Sequence, residues 1–267
     1  MKKSYVWMFI PLLITAGIFL SGSMAGQEAQ KTQIERAKIF QEEYPLIGDS
    51  DLYCSVYTLE KPNFDIRIIA GEKTDEKILQ GDADILYIDR GSQDGLEVGQ
   101  MFLVLNVGAG ISDRATRRNW GYLVTRRGKV RIVRLAEKRG IVTVEKACGP
   151  VLTGDFLVPY EERETVLGKD VGYDALLEEG AGLNGHIIYL DRDYIVVGSG
   201  YWAVIDLGSD DGLKLGQQLT VFKRVKKDVP RLAIGNVVVI DLQPKTATVK
   251  VLSCRDSVEE GFEVQSK

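Results

Sequence analysis

Short apolar runs separated by polar and glycine-rich stretches recur along most of the chain. After residue 50 these runs are five to eight residues long, rich in Val, Ile, Thr, Phe and Tyr, and bounded by Gly, Asp, Asn or Pro. Runs of this length and composition are typical of β-strands. Helical patterns are sparse, and only Gln33–Tyr44 and Tyr173–Glu179 are predicted as helices. The pattern therefore predicts an all-β protein.

An internal repeat is the strongest signal in the chain. Ile88–Gln100 reads IDRGSQDGLEVGQ and Ile205–Gln217 reads IDLGSDDGLKLGQ, so nine of 13 positions are identical. Matching apolar runs precede and follow both copies, which indicates two units of the same fold. Each unit holds enough strands for a small closed or sandwiched sheet. We predict a tandem repeat of two small antiparallel β-barrel or sandwich units with little helix.

These patterns divide the chain into five segments. The first two are a signal peptide at 1–25 and an N-terminal segment at 26–50 with a short helix. They are followed by β-unit 1 at 51–160, a linker at 161–183 and β-unit 2 at 184–267. Each unit is predicted to open with a hairpin. The predicted hairpins pair Tyr53–Leu59 with Phe64–Ile69, and His186–Leu190 with Tyr194–Val197.

The N-terminal residues have the pattern of an export signal. Lys2 and Lys3 precede the apolar run Tyr5–Leu20, and the small residues Ser23 and Ala25 follow it. This three-part pattern predicts a secretory signal peptide cleaved after Ala25. The alternative is an uncleaved anchor, although the run is short for a span of about 20 residues. We expect an exported protein of the periplasm or cell envelope, with membrane contact only if the signal segment is retained.

The repeated motif is interpreted as a structural turn rather than a catalytic site. Its glycines are expected to adopt positive φ, and its Asp-Gly pairs to form turns in which the carboxylate accepts a local N–H. Leu96 and Leu213 are expected to fold back onto the barrel ends. Calcium binding is the weaker alternative, since the spacing lacks the ligand pattern of an EF-hand loop. The motif residues are Asp89, Gly91, Asp94, Gly95 and Gly99, and Asp206, Gly208, Asp211, Gly212 and Gly216.

Charge is unevenly distributed along the chain. The formal net charge is −4, which argues against a protein that coats nucleic acid, and we expect no nucleic-acid partner. Between Asp113 and Arg139, however, ten basic residues face two acidic ones. This basic stretch is either a contact for an anionic partner or a solvated strand face. The candidate contacts are Arg117, Arg118, Arg126, Arg127, Lys129 and Arg131.

The composition offers little for catalysis. A single histidine, His186, leaves no basis for a His-rich metal site or a Ser-His-Asp triad. We expect no catalytic residue, metal or cofactor. Cys54, Cys148 and Cys254 are expected to be buried small apolar residues, with a disulfide as the alternative that export permits.

The repeat also resembles known families. The pattern IDxGSxDGLxxGQxFxV, then a basic hairpin, a Gly-led strand and GDFLVPYE, resembles the β-domain that accompanies peptidoglycan-binding LysM modules in exported bacterial proteins. It is also similar to the C-terminal domain of flagellar assembly protein T. These resemblances cover most of 51–160 and 184–267. A weaker likeness, confined to GSxDGLxxG, is to the rod-shape-determining protein C family.

The resemblance implies a non-catalytic envelope protein that acts in binding or scaffolding. Its implied partner is peptidoglycan or another envelope protein, and it implies no catalytic residues. The alternative is a secreted hydrolase that uses Asp and Glu in a cleft between the two units. Such an enzyme requires acids from both units, with raised pKa values, in one concave pocket.

Overall fold

The computed structural model describes residues 44–73, 77–112, 118–163, 165–226 and 228–267. The predicted signal peptide, and the predicted helix Gln33–Tyr44 up to residue 43, lie outside the described residues. Within the described ranges there is one α-helix, α1 (Asp49–Cys54), and it is too short to cross a membrane. The remaining elements are strands and single-turn 3-10 helices.

Two series of strands follow each other along the chain. The first comprises β1 (Tyr44–Pro45), β2 (Val56–Leu59), β3 (Ile66–Gly71), β4 (Ile85–Ile88), β5 (Met101–Ser112), β6 (Asn119–Leu135), β7 (Gly140–Ala147), β8 (Phe156–Pro159) and β9 (Leu167–Gly168). The second comprises β10 (Asn184–Leu190), β11 (Val196–Val197), β12 (Trp202–Ile205), β13 (Gln218–Lys223), β14 (Leu232–Leu242), β15 (Ala247–Cys254), β16 (Val258–Glu259) and β17 (Glu263–Ser266).

The first barrel is formed by six antiparallel strands in the order β3, β4, β7, β6, β5 and β8, with β8 pairing back to β3. Its centre holds alternate apolar residues of these strands, including Ile68, Leu86, Val104 and Ile132. β2 lies outside the ring and extends the sheet by pairing with β6. This alternation buries one face of each strand. The pairing of β8 with β3 closes the ring, so the barrel has no free edge.

The second barrel has the same topology. Its strands follow the order β10, β12, β15, β14, β13 and β17, and the ring closes between β17 and β10. Ile187, Ile205, Val221 and Val249 occupy its centre. Each of its strands has a counterpart in the first barrel, with the same place in the chain order and the same two neighbouring strands. The prediction of two small antiparallel barrels in tandem is therefore confirmed.

The β5–β6 hairpin is the main difference between the barrels. Gly95 and Gly212 differ by 117 in number, whereas Gly128 and Gly235, which occupy matching places in the β6–β7 and β14–β15 ladders, differ by 107. The first barrel thus has 117 − 107 = 10 extra residues in this hairpin. We call the extension, residues 106–112 of β5 and 119–125 of β6, the arm.

The arm and β2 pack against the second barrel. Trp120 of the arm and Val56 of β2 form an apolar cluster with Ile188 and Val204 of the second barrel. Beside this cluster the Thr248 hydroxyl donates to the Val56 carbonyl over 2.5 Å. These contacts join the two barrels through buried side chains.

Both predicted opening hairpins are wrong. β2 pairs with β6, where Val56 faces Thr125, and β3 pairs with β4 and β8 instead. In the second unit β11 pairs with β16, because both edges of β10 are already occupied by β12 and β17. Arg192 and Asp193 both have φ of 56°, which turns the chain away from β10 at this point.

The helix predicted over Tyr173–Glu179 is also wrong. Residues 173–181 contain turns and no helix, and they lie along the second barrel as a segment that we call the strap. The buried Gln265 amide donates to the carbonyls of Glu178 (2.8 Å) and Ala181 (2.6 Å), and the Asp174 N–H donates to the Thr220 hydroxyl (3.0 Å). Side chains of the barrel thus bind the strap's backbone groups, which a helix would have to pair internally.

Candidate functional site

The two copies of the repeated motif form matching turns. Asp94 Oδ2 accepts a hydrogen bond from the Gly91 N–H, and Asp211 Oδ2 from the Gly208 N–H, each over 2.8 Å. The glycine that follows each Asp is left-handed, with φ of 80° at residue 95 and 85° at residue 212. Leu96 and Leu213 pack against the two barrel cores. The motif therefore closes the end of each barrel.

Gly91 and Gly208 serve a different purpose from the one expected. Their backbone is extended, with φ of −141° and −137°, so positive φ does not explain them. A Cβ on Gly91 would lie 2.4 Å from the carbonyl oxygens of Ala136 and Glu137. Glycine is required there because the motif turn approaches the β6–β7 turn so closely. The first Asp of the motif also contacts a distant segment, since Asp89 Oδ1 accepts the backbone N–H of Arg67 in β3 over 2.8 Å.

Arg126, one of the candidate contacts for an anionic partner, lies in the interior. Its side chain is 3% exposed, and its guanidinium donates to Asp241 Oδ2 (2.5 Å) and to the Ser55 hydroxyl (2.9 Å). The guanidinium also lies 4.3 Å from the centre of the Tyr57 ring. Asp241 belongs to the second barrel, so this cation joins the barrels and is not available to an outside partner.

The other candidate cations are distributed rather than gathered into one patch. Lys129 lies 4.3 Å from the Tyr53 ring centre, and Arg131 donates to Glu145 Oε1 over 2.6 Å. The half-buried Arg127 donates to Asn106 Oδ1 over 3.5 Å, and its Nε is buried without a partner in the described ranges. Arg117 lies outside the described residues. Only Arg118 and Arg127 line the concave surface between the barrels.

That concave surface consists of two adjoining hollows of 860 and 850 Å³. We call them together the inter-barrel groove. The arm forms one wall, and β10, the turn after it, the residue that follows β12 and the turn before β17 form the other. Both hollows share Ile111, Ser112, Ile188 and Glu260. The charged or ionisable residues that line the groove are Arg118, Arg127, His186, Tyr189, Asp191, Arg192, Asp193, Asp206 and Glu260.

His186 and Asp206 are paired at one end of the groove. Asp206 Oδ1 accepts the backbone N–H of His186 over 2.5 Å, and Oδ2 lies 3.7 Å from His186 Nδ1 and 4.0 Å from Arg118 Nη1. The Asp206 carboxylate beside the imidazole raises the pKa of His186. Burial alone would raise the pKa of Asp206, but the hydrogen bonds from His186 and the charge of Arg118 outweigh it and the pKa is lowered.

The other end of the groove contains a buried carboxylate. Asp191 is 4% exposed, and its nearest cation is Arg192, with 3.6 Å between Oδ2 and Nε. Burial raises the pKa of Asp191 more than Arg192 lowers it. Burial likewise raises the pKa of the neighbouring Tyr189 to about 12. Both groups are thus kept closer to their neutral forms than they would be in water.

The distribution of acids bears on the chemistry that the groove permits. Its described acids, at 191, 193, 206 and 260, all belong to the second barrel, and the first barrel contributes Asn106, Arg118 and Arg127. The hydrolase alternative requires acids from both units in one pocket, and the described lining of the groove draws its acids from the second barrel alone. Among the described residues no group of three His, Cys, Asp or Glu side chains is placed to hold a metal ion. A lining of both charges around Trp120 and Ile188 is suited to binding.

Cys54 and Cys148 form a disulfide. The expectation that they are buried free thiols is therefore wrong, and only Cys254 among the three cysteines is free. The bond ties the end of α1 to the residue that follows β7. Disulfides persist mainly in oxidising compartments outside the cytosol.

No local pattern reveals the groove, because its walls are about 60 to 155 residues apart in the chain. In the sequence, Arg118 belongs to the basic stretch, His186 opens a predicted strand and Asp206 belongs to the repeated motif. The ten extra residues of the β5–β6 hairpin were the available signal, since an insertion in one copy of a repeat often carries its function.

No protein-family model matches this chain, and no curated protein matches its sequence.

Proposed function

We propose that this chain is a non-catalytic, exported protein of the cell envelope that binds an assembly partner in the inter-barrel groove. One observation carries the proposal: an arm found only in the first barrel packs on the second barrel and forms a groove lined by both. Grooves at the interface of two domains are common binding sites. The disulfide supports export, since such bonds are rare in the cytosol.

The lining of the groove favours a polypeptide partner. It offers Arg118 and Arg192 as cations and Asp193 and Glu260 as anions, beside the half-buried apolar side chain of Ile111. A uniformly anionic polymer would meet these carboxylates as well as the cations. A protein segment with both charges and apolar side chains complements such a surface better.

The experiment compares charge reversal inside and outside the groove. Arg118→Glu with Arg192→Glu changes two exposed cations of the groove, and Arg134→Glu with Lys138→Glu changes two exposed cations at the far end of β6. Each protein is incubated with solubilised envelope proteins and, separately, with purified peptidoglycan. We expect the first variant to lose at least tenfold in the yield of a captured envelope protein, with the second unchanged.

Two results would contradict the proposal. Equal capture by both variants would show that the groove is not the binding surface. Retention on peptidoglycan that depends on Arg118 and Arg192, without any captured protein, would assign the groove to the polymer instead. Circular dichroism of each variant shows whether the fold is retained.

A further inference from the structure

Within the described ranges, backbone groups along the outer edge of the arm have no hydrogen-bond partner. β5 pairs with β8 only over Phe102–Leu105. From Asn106 to Ser112 its pairing in the described ranges is with β6 alone. Gly108, Ala109 and Gly110 are exposed. The second side of this strand therefore presents N–H and C=O groups to the surroundings.

This edge lacks most of the protection usual for such strands. Exposed edges in native proteins are commonly interrupted by charged side chains, by Pro or by a covering element. Met101–Ser112 contains no charged residue and no Pro. A bulge does occur, because Gly108 and Ala109 lie between the pairs Val107–Val124 and Gly110–Tyr122. The bulge places these two residues opposite the single residue Leu123, so the ladder is interrupted there and one of the two has no position opposite it in β6.

The sequence of the edge is nearly symmetric about its centre. Residues 106–112 read Asn-Val-Gly-Ala-Gly-Ile-Ser, with Ala109 in the middle. When two copies lie antiparallel with their Ala109 residues opposite each other, Val107 faces Ile111 and Gly108 faces Gly110. A polar residue faces a polar residue at both ends, where Asn106 meets Ser112. Every position thus meets a residue of its own kind.

We propose that two copies of this chain pair antiparallel along residues 106–112, about a twofold axis at Ala109. Such an interface is isologous, because the same strand serves both partners. The small residues at its centre let the two backbones approach to hydrogen-bonding distance. Residues 106–112 carry no charge, so no like charges of the two strands face each other. The near-symmetry is what favours a second copy over an unrelated extended peptide. The pairing rests on no property of the groove's partner, but residues 108–112 also line the groove, so a second copy paired here would compete with that partner.

The test uses opposite charges at the proposed axis. Ala109 is exposed and outside the β6 ladder, so Ala109→Lys and Ala109→Glu do not disturb the barrel. In an antiparallel pair, residues directly opposite have Cβ atoms about 4.5–5.5 Å apart, and like charges there repel. Sedimentation velocity over a concentration series measures the self-association of the purified protein. We expect the parent to form a dimer, and each variant alone to weaken the dimer by about tenfold or more.

Mixing the two variants is the decisive measurement. An equimolar mixture of Ala109→Lys and Ala109→Glu should recover the dimer, because Lys then faces Glu across the axis. Ala175→Lys, at an exposed alanine of the strap, is the matched control and should dimerise as the parent does. A parent that stays monomeric at its highest soluble concentration overturns the proposal. So does a dimer that is indifferent to charge at residue 109. Binding of a synthetic 104–114 peptide by a monomeric parent would assign the edge to a different partner.

Discussion

Arg126 and Asp241 form an ion pair that crosses between the two barrels. Both side chains are almost fully buried, at 3% and 5% exposure. Moving a charged group from water into the protein interior costs free energy. A buried ion pair recovers that free energy only when the partner charge and further hydrogen bonds are in place. Here Ser55, the Tyr57 ring and Arg163 complete the surroundings of the pair. The pair therefore ties the position of β6 to that of β14.

Loss of Arg126 should destabilise the protein strongly. Arg126→Met leaves the buried Asp241 with the half-exposed Arg163 and the Gln243 amide as partners. We expect a cost of about 3–5 kcal/mol in the free energy of unfolding. Urea denaturation measures the loss. Arg131→Met is the control, since its exposed pair with Glu145 should contribute about 0–1 kcal/mol. Equal midpoints for the two variants would contradict the structural role of Arg126.

His186 provides a direct probe of the groove, because it is the only histidine in the chain. The Asp206 carboxylate beside the ring raises its pKa above 6.5. A raised folded-state pKa means that the protonated form is favoured by folding. Its contribution to stability is complete below pH 6.5 and is lost as the pH rises through the folded-state value.

An NMR titration of the His186 ring protons gives this pKa. We expect a value above 6.5 in the parent and a lower one in Asp206→Asn, which removes the negative charge and keeps the size. A parent value at or below 6.5 would show that the Asp206 contact is not formed in solution. The same titration on Asp193→Asn, farther along the groove, should match the parent.

At the scale of elements, the motif turns depend on two kinds of glycine. Gly95 requires a left-handed backbone with open space around it, and Gly91 requires the absence of a Cβ. The first requirement concerns the local chain, and the second concerns the packing of the motif turn against the β6–β7 turn. The duplicated motif thus forms a turn and also packs closely against the β6–β7 turn in the first barrel.

Gly95→Val should cost about 1–3 kcal/mol of stability through backbone strain. Thermal unfolding followed by circular dichroism measures the change. Gly198→Val is the control, because Gly198 also has open space around it but no left-handed backbone. A parental melting midpoint for Gly95→Val would show that the turn relaxes without strain.

At the scale of the whole molecule, the two barrels are held in one arrangement by several independent links. The arm, β2 and the Arg126–Asp241 pair all connect elements that are distant in the chain. The disulfide adds a covalent link that closes a separation of 94 residues. Long closures of this kind restrict the unfolded chain more than the folded one.

Breaking the disulfide should lower stability throughout the first barrel. For Cys54→Ser with Cys148→Ser we expect a loss of about 2–5 kcal/mol, measured by urea denaturation. Cys254→Ser is the matched control, since that thiol is free. Thiol titration of the denatured, unreduced parent should find one reactive thiol, and two more after reduction. Three thiols before reduction would show that the bond does not form.

Much of the architecture followed from the sequence alone. The alternation of apolar residues indicated strands, and the repeated motif indicated two like barrels, because both signals depend on residues close together in the chain. The turn role of Asp94 and Gly95 was equally local. The hairpin predicted around Arg192–Asp193 was wrong for a non-local reason. β10 and β11 do not pair with each other, because β12 and β17 occupy both edges of β10.

Only the tertiary structure showed which cations of the basic stretch are buried and where the ten extra residues of the β5–β6 hairpin pack. Nothing in the basic stretch distinguishes Arg126, which is buried against Asp241, from Arg131, which is exposed beside Glu145. Their difference comes from which face of β6 meets the second barrel, and that partner lies more than 100 residues away in the chain. The groove and the Cys54–Cys148 bond likewise require distant segments to meet. Local sequence specifies which segments become strands, whereas the burial and pairing of their side chains depend on contacts that form only in the assembled fold.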